Sequence, residues 1–241
     1  MVLLKWLAAA AVIISLTSCA GTYHSYKDTL QLAFTRQPDA SLTLAEVSNA
    51  DFDFLYVTHG DRPQSVMALM FVEQGDLKWI SSDQAMLITN NGRITKTLGF
   101  SNDLLKLTAT TTDPIANWQA INEQSHWQRL VDWRAGEYGY SVSSSFKVET
   151  GHTINVFQQD IAVTKVIEYL DYATPANFLR FDQRWQNIFW FDASSGVLLQ
   201  SQQQLAPFTE PMQLIFVSKV ARELAKQAQL SKAVKTEQPA A

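Results

Sequence analysis

Cys19, the one cysteine of the chain, closes the run Leu16-Thr17-Ser18-Cys19, and a thiol in that setting is a site for acylation. Ahead of it Lys5 and the start amine supply positive charge. Trp6 to Leu16 supply a short apolar stretch, and Thr17-Ser18 supply small residues, which together are the parts of an export signal. The stretch falls short of the roughly 18 to 20 apolar residues that span a bilayer. The pattern fits a bacterial lipobox, in which signal peptidase cleaves before the cysteine and the sulfur carries a diacylglycerol. The expectation is a signal peptide over residues 1–18, a lipidated tether over 19–28 and membrane attachment through the lipid on Cys19. Several acyl chains on one residue anchor stably, at about 0.8 kcal/mol per buried methylene. Ala20 stands where Asp would retain a lipoprotein at the inner membrane. The expected address is the periplasmic face of a Gram-negative outer membrane.

Other chemistry-bearing residues form weaker patterns. His24, His59, His126 and His152 are scattered without metal-ligand spacing, so no metal and no cofactor is expected. Ser141, in Gly139-Tyr140-Ser141-Val142-Ser143, lacks the final glycine of a nucleophile elbow. Glycoside hydrolysis needs two carboxyl groups about 5 to 9.5 Å apart. Asp51, Asp53, Asp132, Glu137 and Asp192 each sit beside a turn or strand end, where acidic residues serve local hydrogen bonding. No catalytic residue is assigned.

Along Leu179 to Phe191, period-two projection places Arg180, Asp182, Arg184 and Gln186 on one face, with Phe181, Trp185, Phe189 and Phe191 on the other. Arg180 and Arg184 are candidate contacts for a polysaccharide or partner, because guanidinium pairs bidentately with the carboxylate of an acidic sugar. A solvated face with Asp182 between two arginines is the commoner outcome for an isolated charge row. Arg129, Asp132 and Arg134 pose the same choice. Trp79, Trp127, Trp133, Trp185 and Trp190 read as core or as stacking platforms.

These residues must be positioned by a β-rich framework. With the signal removed, about 220 residues remain, enough for one domain with a full core. Only 17% of residues are charged, the net charge is -4, and no basic stretch suggests nucleic acid. Thr43-Leu44-Ala45-Glu46 has capping-box spacing for a short helix. Strand signals begin at Phe54 and continue through Ser65 to Glu73, Leu77 to Ile80, Met86 to Thr89 and Arg93 to Leu98, with Asn91-Gly92 as a tight hairpin turn. Residues 101–125, with the breaker Asp113-Pro114, read as a crossover holding a helical piece around Ile115 to Glu123. From Tyr138 to Glu149 the sequence alternates, placing Ser141, Ser143 and Ser145 on the wet face. Thr150-Gly151-His152 reads as the next turn. Strands follow around Ile154 to Phe157, Val163 to Tyr172, Leu179 to Asp192 and Val197 to Leu205, and Pro207 and Pro211 mark their end. Val217, Val220, Ala221, Leu224 and Ala228 define a C-terminal amphipathic helix that packs on the sheet. The expected fold is mainly β: one domain over 29–231, an antiparallel meander of about ten strands curved into an open or partly closed barrel, with residues 232–241 a disordered tail.

The block Met67 to Leu105 resembles the YjbF/GfcB family of lipoproteins, associated with exopolysaccharide production and group 4 capsule. The landmarks are Gly75 before Lys78-Trp79, the Asp83 to Met86 spacing, Thr89 with Gly92-Arg93, and Lys96-Thr97-Leu98-Gly99. Asp132-Trp133-Arg134, Phe189-Trp190-Phe191-Asp192 and Ser195-Gly196 with Leu199, Ser201 and Gln203 are similar too. The resemblance implies a non-enzymatic periplasmic lipoprotein acting in polysaccharide secretion, working with an outer-membrane barrel protein and a soluble periplasmic partner, and it brings no catalytic residues. Two other readings stay open: a lipid- or lipoprotein-handling carrier with an apolar half-barrel cavity, and a polysaccharide-modifying hydrolase or lyase.

Overall fold

A computed structural model describes residues 38–134, 136–173, 184–207 and 209–237, so Cys19 and Arg180 lie outside the described residues. Twelve strands form one antiparallel sheet. They are β1 (Phe54–His59), β2 (Ser65–Glu73), β3 (Asp76–Ser81), β4 (Met86–Asn90), β5 (Arg93–Leu98), β6 (Leu104–Thr108), β7 (His126–Trp133), β8 (Glu137–Val156), β9 (Gln159–Tyr172), β10 (Arg184–Asp192), β11 (Leu198–Gln203) and β12 (Met212–Ile215). Their order, β5-β4-β3-β2-β1-β12-β11-β10-β9-β8-β7-β6, is a meander broken once, where β12 returns to pair with β1. The sheet curls until its terminal strands β5 and β6 meet, so the barrel is nearly closed. The seam is joined by side chains instead of a ladder. Leu104 N donates to Thr97 Oγ1 at 2.9 Å, and the buried Asp103 carboxylate accepts from Thr97 Oγ1 and from the backbone of Gly99 and Phe100.

Local sequence chemistry explains the turns. Asn91 and Gly92 both take positive φ, +48° and +86°, as the β4-β5 hairpin requires. A Cβ at Gly92 would lie 1.8 Å from Leu198 Cδ2, so this glycine serves close packing as well as the turn. The expected turn at Thr150-Gly151-His152 is not one: β8 runs on to Val156, with a register shift between Glu149 and His152. Gly151, at φ +79°, kinks the strand, and the chain reverses at Phe157 and Gln158, both at positive φ. Strands β6, β7 and β12 are absent from the sequence reading. The supposed crossover contains β6 and a 3-10 segment, Pro114–Ala120, capped by Asp113 accepting from Ile115 N.

The barrel is filled by side chains. Trp79, Trp133, Phe189 and Phe216 are fully enclosed with Leu55, Met67, Leu87 and Ile94 around them. Each such side chain contributes roughly 1.5 to 3 kcal/mol by leaving water. The 3-10 segment closes one end: Ile115 enters the core, and Trp118 stacks on Phe191 at 4.6 Å while donating to Gly196 O. Outside the barrel, α1 (Leu44–Ser48) and α2 (Val217–Glu237) pack together with Tyr56 through Val47, Val217 and Ala221. The far end of the β8-β9 hairpin reaches the other side of α2, where Ile154, Val156, Ile161 and Val163 meet Val220 and Leu224. The capping box forms as expected, Glu46 N donating to Thr43 Oγ1 at 3.2 Å and Thr43 N to Glu46 Oε2 at 2.7 Å. The bidentate Arg222–Asp53 pair, at 2.7 and 2.9 Å, and the bond from Phe54 N to Ser218 Oγ fix α2 to the start of β1.

Candidate functional site

Two features stand out, one inside the wall and one outside. Inside, alternate residues of β7, β8, β9 and β10 point to the core, and that phase carries Arg129, Ser144, Glu168 and Asn187 among apolar neighbours. Glu168 is completely buried and accepts four hydrogen bonds. Its Oε2 takes Arg93 Nη1 at 2.7 Å and Asn187 Nδ2 at 2.9 Å, while Oε1 takes Arg129 Nη1 at 3.1 Å and Ser144 Oγ at 2.7 Å. Arg93 spends its other edge on Asp113, from Nε and, at 3.1 Å, from Nη2. Two cations and two anions thus balance. The guanidinium carbons of Arg93 and Arg129 lie 4.6 and 4.4 Å from the centre of the Trp127 ring, adding cation–π attraction to two buried charges.

The electrostatics follow from this enclosure. Burial alone would raise the Glu168 pKa, yet attraction to Arg93 and Arg129, with their hydrogen bonds and that of Ser144, holds it down at about 2. Burial pushes Arg129 down to about 10, opposed by Glu168 and reinforced by Arg93. Arg93 moves up: burial opposes its charge, and Asp113 and Glu168 overcome that. Arg93, Arg129 and Glu168 are charged at neutral pH. Glu168 therefore has no proton to give a leaving group, and each of its oxygens already holds two donors. Beside the quartet, Arg129, Trp133 and Trp185 line an interior space of about 20 Å³, on the scale of a single water.

Outside, the opposite phase of the same strands forms a trough. Ser143 and Ser145, successive outward positions of β8, pair directly with Asp171 and Tyr169 of β9. His126 of β7 is opposite Ser145, and Arg184 of β10 is opposite Asp171. Serines in the middle strand with larger residues on both sides leave a depression of about 470 Å³, which Ser144, Leu170 and Trp185 of the inward phase also line. Arg184 Nε lies 3.1 Å from Asp171 Oδ2, and its side chain is 85% exposed.

The residues singled out in the sequence are distributed as follows. Arg184 lies in the trough. Arg129, Asp132 and Arg134 do not form one solvated row: Arg129 faces the core, Asp132 accepts from Gly139 N, and Arg134 pairs with Asp103 at 3.0 Å. Trp79, Trp127, Trp133 and Trp185 are core, and Trp190 is half-buried against the second apolar cluster. Asp53 pairs with Arg222, and Asp192 caps its own turn through Ser194 and Ser195. Ser141 accepts from Gln128 Nε2 on the outer face. The quartet was missed, and its signal was available: a charge at the apolar phase of a strand, as in Trp127-Gln128-Arg129-Leu130-Val131.

Fold and site together define a side-chain-filled antiparallel β-barrel whose buried charges brace its wall. The chain belongs to the family described as "Group 4 capsule polysaccharide lipoprotein gfcB, YjbF", whose model matches residues 27–217. Among relatives, the uncharacterized lipoprotein GfcB of Escherichia coli K12 is 28% identical over 204 residues, covering 84% of this chain and 92% of that one. The uncharacterized lipoprotein YjbF of the same organism is 28% identical over 201 residues, covering 82% and 90%. The crystal structure of the hypothetical lipoprotein YmcC from Escherichia coli K12 superposes with a TM-score of 0.64 at 28% identity, covering 73% of this chain and 88% of that one.

Proposed function

We propose that the chain is an outer-membrane lipoprotein, anchored through Cys19 on the periplasmic face, that acts as a non-enzymatic accessory in capsule or exopolysaccharide secretion. The observation that carries this reading is membership of the capsule lipoprotein family over residues 27–217. The lipobox at Leu16 to Cys19 agrees with it. Two physical arguments favour it over its rivals. The half-buried Asp113 and the buried Glu168 are bound to arginines, which leaves neither free as a general acid. The barrel interior is filled by Trp79, Trp133, Phe189, Phe216 and their apolar neighbours, which disfavours a lipid carrier. Anchoring confines the domain to a thin layer beside the export machinery, so weak contacts with a barrel protein, a soluble periplasmic partner or the polymer suffice.

The test is to measure secreted and surface-bound polysaccharide in a strain deleted for this chain, then restore the wild-type chain. Loss of polymer that complementation reverses is the expected result. Unchanged polymer under inducing conditions would refute the role.

A further inference from the structure

The structure assigns a saccharide-binding site to the outer trough along β8. This inference rests on the export role proposed above and names where that role meets sugar. Its basis is the pattern of the middle strand: Ser143 and Ser145 occupy successive outward positions and line the depression, and Ser141 is the next outward position beyond it. The small side chains lower the surface, and the hydroxyls pave it with groups that both donate and accept. Tyr169, 45% exposed, stands directly beside Ser145, and His126 stands on the other side. At about 470 Å³ the depression is within the roughly 300 to 1,000 Å³ range of small-ligand sites.

The chemistry selects the ligand class. Sugar rings combine hydroxyl rims with apolar C–H faces, and this trough combines hydroxyls with an exposed aromatic ring. Among the described lining residues the cation Arg184 is matched by Asp171 at 3.1 Å, so that lining is close to neutral. An acidic polymer would meet both members of that pair and gain little. The ligand is a hydroxyl-rich saccharide segment with low charge, from an exported polymer or from lipopolysaccharide core.

Affinity electrophoresis of the detergent-purified full chain tests this. One gel contains the polymer secreted by the host, and a parallel assay measures competition by oligosaccharide released from the host's lipopolysaccharide. Ser143→Trp fills the floor, Tyr169→Ala removes the aromatic face, and Thr153→Trp places the same bulk on the exposed far part of β8. Retardation by the polymer, or its competition by the core oligosaccharide, is expected for wild type and Thr153→Trp. Tyr169→Ala should bind roughly five- to tenfold more weakly, and Ser143→Trp should lose retardation, with unchanged circular dichroism in each case. Which probe binds names the source. No retardation of the wild type, or equal retardation of all variants, would overturn the site. Polymer secretion separates this failure from that of the export role. A deletion strain restored fully by Ser143→Trp removes the trough and leaves the role standing. A deletion strain with normal polymer removes both.

Discussion

Glu168→Gln should destabilise the chain severely without touching its surface. The substitution keeps the shape and removes one of the two negative charges facing Arg93 and Arg129. A glutamine amide presents one oxygen and one NH2, whereas both carboxylate oxygens of Glu168 accept two donors each. Whichever way the amide turns, its NH2 meets a guanidinium N–H, of Arg93 beside Asn187 or of Arg129 beside Ser144, donor against donor. Breaking a buried pair from one side costs about 3 to 5 kcal/mol, a large share of the roughly 5 to 15 kcal/mol that holds a domain folded. For a domain of this size the melting point should fall by about 6 to 20 °C. The pH dependence has a defined sign. The folded pKa near 2 lies below the ordinary glutamate value of 4.5, so the unfolded chain binds more protons between those values. The contribution of Glu168 is full above about pH 4.5 and is lost as pH falls through 2, about 3 kcal/mol in all. Urea unfolding followed by tryptophan fluorescence at pH 7 and at pH 3 measures both effects. A loss below 1 kcal/mol at pH 7, or an acid sensitivity equal in wild type and variant, would refute the reasoning.

Asp103→Ala removes the acceptor for Thr97 Oγ1, for two backbone N–H groups and for Arg134, opening the β5-β6 seam. It should cost about 2 to 4 kcal/mol in urea titration. Gly92→Ala, with φ at +86° and Leu198 in the way, should cost about 2 to 5 kcal/mol by the same measurement. Arg184→Ala breaks an exposed ion pair and should change the urea midpoint by less than about 0.5 kcal/mol equivalent. Cys19→Ala should give folded chain recovered in the soluble periplasmic fraction; the same variant found acylated in the outer-membrane fraction would contradict the anchoring.

What was legible in the sequence is what depends on neighbours in the chain. The Thr43 to Glu46 cap and the Asn91-Gly92 turn are each set within four residues and form as read; of the α2 face, Val217, Val220, Ala221 and Leu224 are buried as read and Ala228 is exposed. The long β8 was misread at Gly151 because a bulge glycine and a turn glycine share the same positive φ; only the partner strand, continuing in register from Val163 to Gln159, separates them. Strand β12 has four residues and lies between Pro211 and α2, too short to show a period. The quartet was hidden for another reason. Its four charges come from β5, β7, β9 and the residue that caps the 3-10 segment, with Arg93 and Glu168 75 residues apart, and sequence spacing carries no distance over such separations.

The quartet also answers a geometric problem. Barrel diameter grows with strand number, and eight strands already give an interior just wide enough for side chains to fill. Twelve strands leave a wider space that aliphatic side chains cannot bridge. Here tryptophans, arginines and a glutamate reach across it, and the Asp113 end of the 3-10 segment rises to meet them. Because each charge must find its partner at hydrogen-bond distance, these groups fix the relative positions of β5, β7, β9 and β10 as aliphatic packing alone would not. The interior is thereby committed to holding shape. Recognition then falls to the outward phase of the same strands, and on β8 that phase is where serine replaces every larger residue from 141 to 145. The alternation that buries Ser144 against Glu168 exposes Ser143 and Ser145, so the brace and the trough are two faces of one strand.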